Sequence, residues 1–248
     1  MTDEALLDLL REAAAAVRSA LEGVEDWGPS GRKVGQYSLD LVADAAALEV
    51  LGRADVGVLS EESGFHRPDR ELWVALDPVD GSTNASRRLP WFGSSLCVLD
   101  GDGPRVGLVA NLATGDRFEA IRGQGAWQNG EAIAPTSCPA LGQAVVGITA
   151  CPPKPIGARQ VRALGAAALD LCAVAAGSLD AYVDFSPGSH GPWDYLAGML
   201  VCTEAGAHVA EANGRELVAR GIEDRRVPVA AATPALLAEV MAARAAGP

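Results

Sequence analysis

Leu72-Trp73-Val74-Ala75-Leu76-Asp77-Pro78-Val79-Asp80-Gly81-Ser82-Thr83 joins an apolar run to two carboxylates, a glycine and two hydroxyls. The apolar run predicts a buried strand. Proline between the acids cannot donate to a central ladder, so the spacing predicts a turn at the strand's end. Asp77 and Asp80 then share one tight turn, with the backbone N–H groups of Gly81, Ser82 and Thr83 pointing outward. Carboxylates collect hard divalent cations, and free N–H groups at a helix start collect phosphate. Together they predict a metal-dependent phosphate site. An ordinary Asp-Gly turn requires neither the second acid nor the paired hydroxyls. A calcium EF-hand fails on spacing, because twelve-residue loops from Asp77 or Asp80 end at Arg88 or Trp91, where glutamate is required.

The 248 residues, 49% of them hydrophobic, suffice for one large domain or two halves sharing an interface. A net charge of −12 argues against nucleic acid as a partner. An acidic protein acting on a phosphorylated substrate needs cations to offset repulsion, which agrees with the metal reading. The five cysteines (Cys97, Cys138, Cys151, Cys172, Cys202) are odd in number and show no C-x-x-C pair. They read as reduced thiols of a cytoplasmic protein. The start Met1-Thr2-Asp3-Glu4 lacks a basic leader, and no apolar run approaches a membrane span.

Outward from the turn, the pattern predicts a helix over 3–22 capped by Thr2 or Asp3, and a second from Ser38 to Gly52 with Leu39, Val42, Ala46 and Val50 on its apolar face. A strand at 56–59 runs into Ser60-Glu61-Glu62-Ser63, followed by a polar loop. Residues 92–132 read as a meander of strands at 94–99, 105–111 and 117–121. Gly123-x-Gly125 lies in that hairpin region and is rejected as a dinucleotide loop. Pro135–Pro139 marks a seam between an α+β half (1–137) and an α/β half (138–248). The second half alternates strand 144–148, helix 165–176, strand 181–185, helix 194–204, strand 228–232 and a terminal helix.

Glu61-Glu62, taken alone, reads as a solvated strand end, and Asp194 as a first-turn acid complementing a helix dipole. The ordered set changes that. Glu-Glu-Ser before an apolar strand, Asp-Pro-Val-Asp-Gly-Ser-Thr-Asn after it, and the late Pro192-Trp193-Asp194-x-x-Ala197-Gly198 together resemble the inositol monophosphatase family. Gly123-x-Gly125-Ala126-x-x-Asn129-Gly130 and Thr203-Glu204-Ala205-Gly206 are also similar to family segments.

The resemblance implies an α/β fold, a layered αβαβα sandwich of the inositol monophosphatase and fructose-1,6-bisphosphatase type. It implies a lithium-sensitive, Mg²⁺-dependent phosphomonoesterase acting on a small phosphorylated polyol, assembled as a homodimer. Glu61, Asp77 and the Val79 carbonyl would hold one Mg²⁺; Asp77, Asp80 and Asp194 a second; Glu61 with Glu62 a third. Gly81, Ser82 and Thr83 would bind phosphate, with Ser82 orienting the attacking water together with Glu61 and an acid that matches Asp44. Asp40 competes with Asp44 for that role. Asp184, Gly165, Ala167, Asp80 and Asp194 would line the substrate, and Lys33 resembles a loop lysine near the metals. The loop 185–192, holding His190, is longer than the family pattern implies, which leaves the alcohol open between inositol phosphate, fructose-1,6-bisphosphate, histidinol phosphate, 3′-phosphoadenosine 5′-phosphate and NADP. A metal-binding regulatory protein of the same fold is the non-enzymatic alternative.

Overall fold

The structure, a computed structural model, describes residues 1–32, 35–188 and 190–245. Helix α1 (Asp3–Glu22) buries Leu6, Leu10, Ala14, Val17 and Leu21, a stripe of helical period, and the Thr2 hydroxyl caps it by accepting the Ala5 N–H at 3.2 Å. Helix α2 (Ser38–Leu51) packs on α1 through Leu39, Ala43, Ala47 and Val50. Its inward face is rotated from the sequence expectation: Val42 is 41% exposed, whereas Asp40 and Asp44 are buried. The helix turns these two acids inward.

The first sheet comprises β1 (Gly57–Ser60), β2 (Gly64–His66), β3 (Trp73–Asp80), β4 (Gly93–Asp100), β5 (Gly103–Asn111), β6 (Arg117–Ile121), β7 (Gly125–Gln128) and β8 (Glu131–Ala132). They lie in the order β2-β1-β3-β4-β5-β6-β7-β8. Within this sheet β1 and β3 pair in parallel, and the other neighbours described are antiparallel. Side chains alternate along β3, so Val74 and Leu76 join the core under α1 and α2 while Ala75 faces the opposite layer. After β3, the short helix α3 (Ser82–Ser86) opens at Gly81.

The second sheet, β10-β9-β11-β13-β12, contains β9 (Val145–Thr149), β10 (Gln160–Arg162), β11 (Ala181–Asp184), β12 (His208–Glu211) and β13 (Pro228–Ala231). Helices α4 (Ala167–Ala175) and α5 (Pro192–Ala205) lie between the two sheets, and α6 (Pro234–Ala245) covers the outer face of the second. The layers therefore run helices, sheet, helices, sheet, helix. This is the expected αβαβα sandwich.

Two local readings change. Strand β3 does not end before Pro78 but continues to Asp80, with its register on β4 slipping between Asp77↔Ser95 and Asp80↔Gly93. Three steps on one strand oppose two on the other, an irregularity of the bulge kind that tolerates proline. The parallel ladder to β1 has already ended at Ser60↔Leu76, so that flank makes no demand on Pro78. The short strands β2, β7, β8, β10 and β12 were not expected, because segments of two to four residues carry too little alternation to register. The glycines at 123 and 125 form the β6–β7 turn, where Glu204 of α5 accepts both N–H groups at 2.8 and 3.0 Å. Two segments quoted above for their family likeness thus touch each other.

The middle layer is tight. A Cβ at Gly198 of α5 would stand 2.8 Å from Leu171 Cβ and 3.0 Å from the Ala168 carbonyl oxygen on α4. Overpacking of this kind costs about 1–3 kcal/mol, more than the few tenths gained in helix propensity. Gly198→Val is therefore expected to destabilise the fold by about 2 kcal/mol, read as a lowered midpoint in urea denaturation.

Candidate active site

The strand ends and helix starts converge on one acidic cluster. Asp77 and Asp80 come from the end of β3, Glu61 from the residue after β1, and Asp194 from the first turn of α5. Carboxylate oxygens of Glu61, Asp77 and Asp194 lie within 4.8 Å of one another. Asp80 joins them electrostatically, raising the pKa of both Glu61 and Asp77. Each aspartate has one oxygen held by a backbone N–H: Val79 to Asp77 Oδ1 at 2.9 Å, Ala168 to Asp80 Oδ2 at 2.7 Å, and Gly191 to Asp194 Oδ2 at 2.7 Å. The second oxygen of each remains for another partner. Hard oxygen donors in this number, fixed in this way, fit a divalent cation.

Packing like charges together has a measurable signature. Burial first, then the neighbouring charges of Glu61, Asp80 and Asp194, drives the Asp77 carboxyl well above the usual range. Burial and Asp194 push Asp80 up to about 8. Glu61, at the solvent edge of the cluster, is raised in the same way, by burial and by the charges of Asp194, Glu62 and Asp80.

Gly81 closes the turn with φ of 86°, and a Cβ there would stand 3.1 Å from the Ala166 Cβ and from the carbonyl oxygens of Gly165 and Trp91. Only glycine satisfies both constraints. Ser82 and Thr83 follow at the start of α3, where helix geometry leaves backbone N–H groups without intrahelical acceptors. Asn84 ties this turn to the α4 entry by donating to the Trp91 and Leu164 carbonyls, both at 2.7 Å. Gly165 and Ala166 are thereby brought against the Gly81 turn, with Ala167 following at the start of α4. Thr83 also meets the Tyr37 hydroxyl at 3.2 Å. Neither Asn84 nor Tyr37 was singled out from sequence.

The two inward acids of α2 separate in role. Asp44 accepts the hydroxyl of Ser60, whose oxygen in turn accepts the Glu62 N–H at 3.1 Å. It braces the Glu61-Glu62 turn, not Ser82. Asp40 accepts the Tyr37 N–H through Oδ2 at 2.8 Å, while its buried Oδ1 has no hydrogen-bond partner among the described residues. Burial raises the Asp40 carboxyl to about 6, and the Tyr37 N–H and the Ser82 hydroxyl pull the other way. That hydroxyl donates to the Val79 carbonyl at 2.8 Å. The structure thus places Asp40, and not Asp44, beside Ser82. Glu62 accepts from the Gln36 side chain, and Lys33 lies outside the described residues.

Asp184, at the end of β11, is fully buried. Its two oxygens accept the N–H and the hydroxyl of Ser186 at 2.7 and 2.8 Å. His190 stands between the acids, Nε2 3.5 Å from Asp184 Oδ2 and Nδ1 3.4 Å from Asp194 Oδ2, with the Tyr182 hydroxyl 3.2 Å from Nε2. Asp170 of α4 was not anticipated. It accepts the Trp91 indole N–H at 2.8 Å, its other oxygen is unpartnered among the described residues, and burial lifts it to about 7.

The model of the inositol monophosphatase family matches residues 38–246. A fructose-1,6-bisphosphatase/inositol-1-monophosphatase of Archaeoglobus fulgidus is 36% identical over 227 residues, 88% of each chain. The Nus factor SuhB of Pasteurella multocida is 29% identical over 82% of each. Among solved structures, the inositol monophosphatase of Anabaena superposes with a TM-score of 0.81 at 26% identity, covering 99% of this chain and 97% of that one. Layered fold, acidic cluster and glycine turn thus define a phosphatase-type site. The chain belongs to the inositol monophosphatase family.

The raised carboxyls set a pH dependence for the cation-free protein. Asp40, Asp80 and Asp77 all hold protons in the fold at pH values where an unfolded chain, titrating near 4, has lost them. The native state then binds more protons than the unfolded one, so stability falls as pH rises. With chelator present, the melting temperature is expected to drop steadily between pH 5 and pH 8.5. A divalent cation should restore more of it at pH 8 than at pH 6.

Proposed function

We propose that this protein is a Mg²⁺-dependent phosphomonoesterase acting on inositol monophosphate or a similar polyol phosphate. The observation that carries this reading is the set of three aspartates, each with one oxygen fixed by a backbone N–H and one oxygen left over, gathered with Glu61 beside the Gly81 turn. Glu61, Asp77, the Val79 carbonyl, Asp80 and Asp194 would hold Mg²⁺, with Glu62 at the margin of the set. Bound there, the cation supplies neutralisation of the phosphate charge and activation of a water.

The remaining work belongs to the chain itself. Backbone N–H groups of Gly81, Ser82 and Thr83 receive the phosphate oxygens. The Ser82 hydroxyl has two acceptors nearby, Val79 and Asp40. When it donates to Asp40, its oxygen is free to accept a proton of the attacking water and so to hold that water in line with the phosphorus. Asp40 is therefore the orienting acid of this reading, and Asp44 acts at one remove through Ser60 on the Glu61-Glu62 turn. Gly165 and Ala167 line the leaving-group side.

Relatives named for fructose-1,6-bisphosphatase activity make that ester the second substrate to test, although the sequence brings few basic residues to receive a second phosphate. Turnover of inositol 1-phosphate, fructose 1,6-bisphosphate, histidinol phosphate, NADP and 3′-phosphoadenosine 5′-phosphate with Mg²⁺ separates these readings. Inactivity of folded, Mg²⁺-supplied protein on all of them would leave the regulatory alternative standing. Lithium inhibition and a dimer in sedimentation are expected as well.

Asp80→Asn should reduce kcat by orders of magnitude, through loss of a charge at the cation. Asp40→Asn should lower kcat by about 10²–10⁴-fold through loss of the proton acceptor for Ser82. Asp44→Asn is expected to cost less and to act chiefly on the Mg²⁺ requirement. Steady-state kinetics with Mg²⁺ titration decides between the two acids, and the reverse ranking would return the orienting role to Asp44.

A further inference from the structure

The loop from β11 to α5 is fastened at both ends. On the β11 side, Arg244 of α6 donates to the carbonyls of Asp184 and Ser186 at 2.7 and 3.1 Å. Ser186 closes back onto Asp184 with both of its donors. On the α5 side, the His190 carbonyl accepts the Arg226 N–H at 2.9 Å, an isolated β-bridge, and the next residue, Gly191, caps α5 through Asp194. The outcome is a histidine set between the two acids on the leaving-group side.

The two positions differ in what they offer a ligand. The Asp184 side chain is 0% exposed, and both oxygens already have donors. A substrate hydroxyl reaching it would have to displace Ser186 and pass His190. The His190 side chain is 12% exposed and the neighbouring Asp194 14%, so both keep a solvent access that Asp184 lacks. The contacts of the imidazole, at 3.2 to 3.5 Å, are long enough to yield to a better partner. A carboxylate accepts only, whereas an imidazole can donate or accept at either edge.

We infer that the side chain facing the leaving alcohol in this protein is His190, and that Asp184 is a positioning residue that orients it from behind. The inference rests on the phosphomonoesterase reading above. It reassigns the specificity of the site from a lone acceptor to a group with both hydrogen-bonding senses. Leaving groups presenting either a hydroxyl or an acceptor atom near the ester are then accommodated.

Kinetics with inositol 1-phosphate and p-nitrophenyl phosphate compares an alcohol rich in hydroxyls with one that has none. His190→Ala should lower kcat/KM for inositol 1-phosphate about tenfold more than for p-nitrophenyl phosphate, chiefly through KM, as expected for one lost hydrogen bond. His190→Asn, which keeps a side-chain donor and acceptor, should recover part of that loss and serves if the alanine variant does not fold. Asp184→Asn should shift the same ratio in the native background and add little once His190 is alanine, because the two act in series. An unchanged ratio in His190→Ala overturns the inference. So does a full Asp184→Asn penalty in the His190→Ala background, which would mean direct contact between Asp184 and the alcohol. Equal losses on both esters with a displaced Mg²⁺ requirement would confine His190 to Asp194, and overturn it also. Wild-type inactivity on both esters overturns the phosphatase reading first, and the inference with it.

Discussion

Like charges crowded around the buried Asp77 are the constraint around which this molecule is arranged. Asp77, Asp80, Asp194 and Glu61 repel one another, and burial raises the penalty for ionising them together. The fold holds them by fixing one oxygen of each aspartate to a backbone N–H, from Val79, Ala168 and Gly191. Backbone donors at these places cannot rotate away as side chains can. The residual charge points at a common space, an arrangement that fits a divalent cation.

Those three N–H groups come from the end of β3 and the starts of α4 and α5. The middle helical layer therefore sets the spacing of the site. Gly198 allows α5 to approach α4 closely, and Ala166, Ala167 and Ala168 leave room for the Gly81 turn and for Asp80. Alanine richness in this stretch, compositionally unremarkable on its own, has a mechanical meaning: small side chains let backbone amides reach carboxylates. The bulge at Pro78 is the matching device on the sheet side. It lets Asp77 and Asp80 both stay on one strand while presenting their carboxylates to one space.

How much of this was legible in the sequence follows from the range of each signal. The layered fold and the gathering of Glu61, Asp77, Asp80 and Asp194 were legible through the resemblance that the ordered motifs carry; spacing alone joined only Asp77 and Asp80, and left Glu61 a solvated strand end and Asp194 a first-turn helix acid. The rotation of α2 was not legible. Leu39, Val42, Ala46 and Val50 form a sound helical stripe, and nothing in it reveals that Asp40 and Asp44 will be turned inward instead of Val42. Tertiary packing overrode the pattern there, and the choice between the two acids went with it. Their partners differ in the fold: Ser60 donates to Asp44, whereas Asp40 accepts from the Tyr37 N–H and lies near Ser82. Similarly, Ser186 and Asn84 are ordinary loop residues until the chain folds and their donors find distant carbonyls or a buried carboxylate.

The acidic cluster also divides along the chain. Asp77 and Asp80, with the Gly81 turn, belong to β3 and the start of α3, braced by α2 and the first sheet. Asp194 stands on a second segment, the β11–α5 connection, which Arg244 of α6 and Arg226 before β13 brace. The bond from the Gly191 N–H to Asp194 is the narrow point of the architecture. In the proposed reading, that bond would couple the segment that selects the alcohol to the cluster that carries the reaction, so remodelling of the connection would have to preserve it.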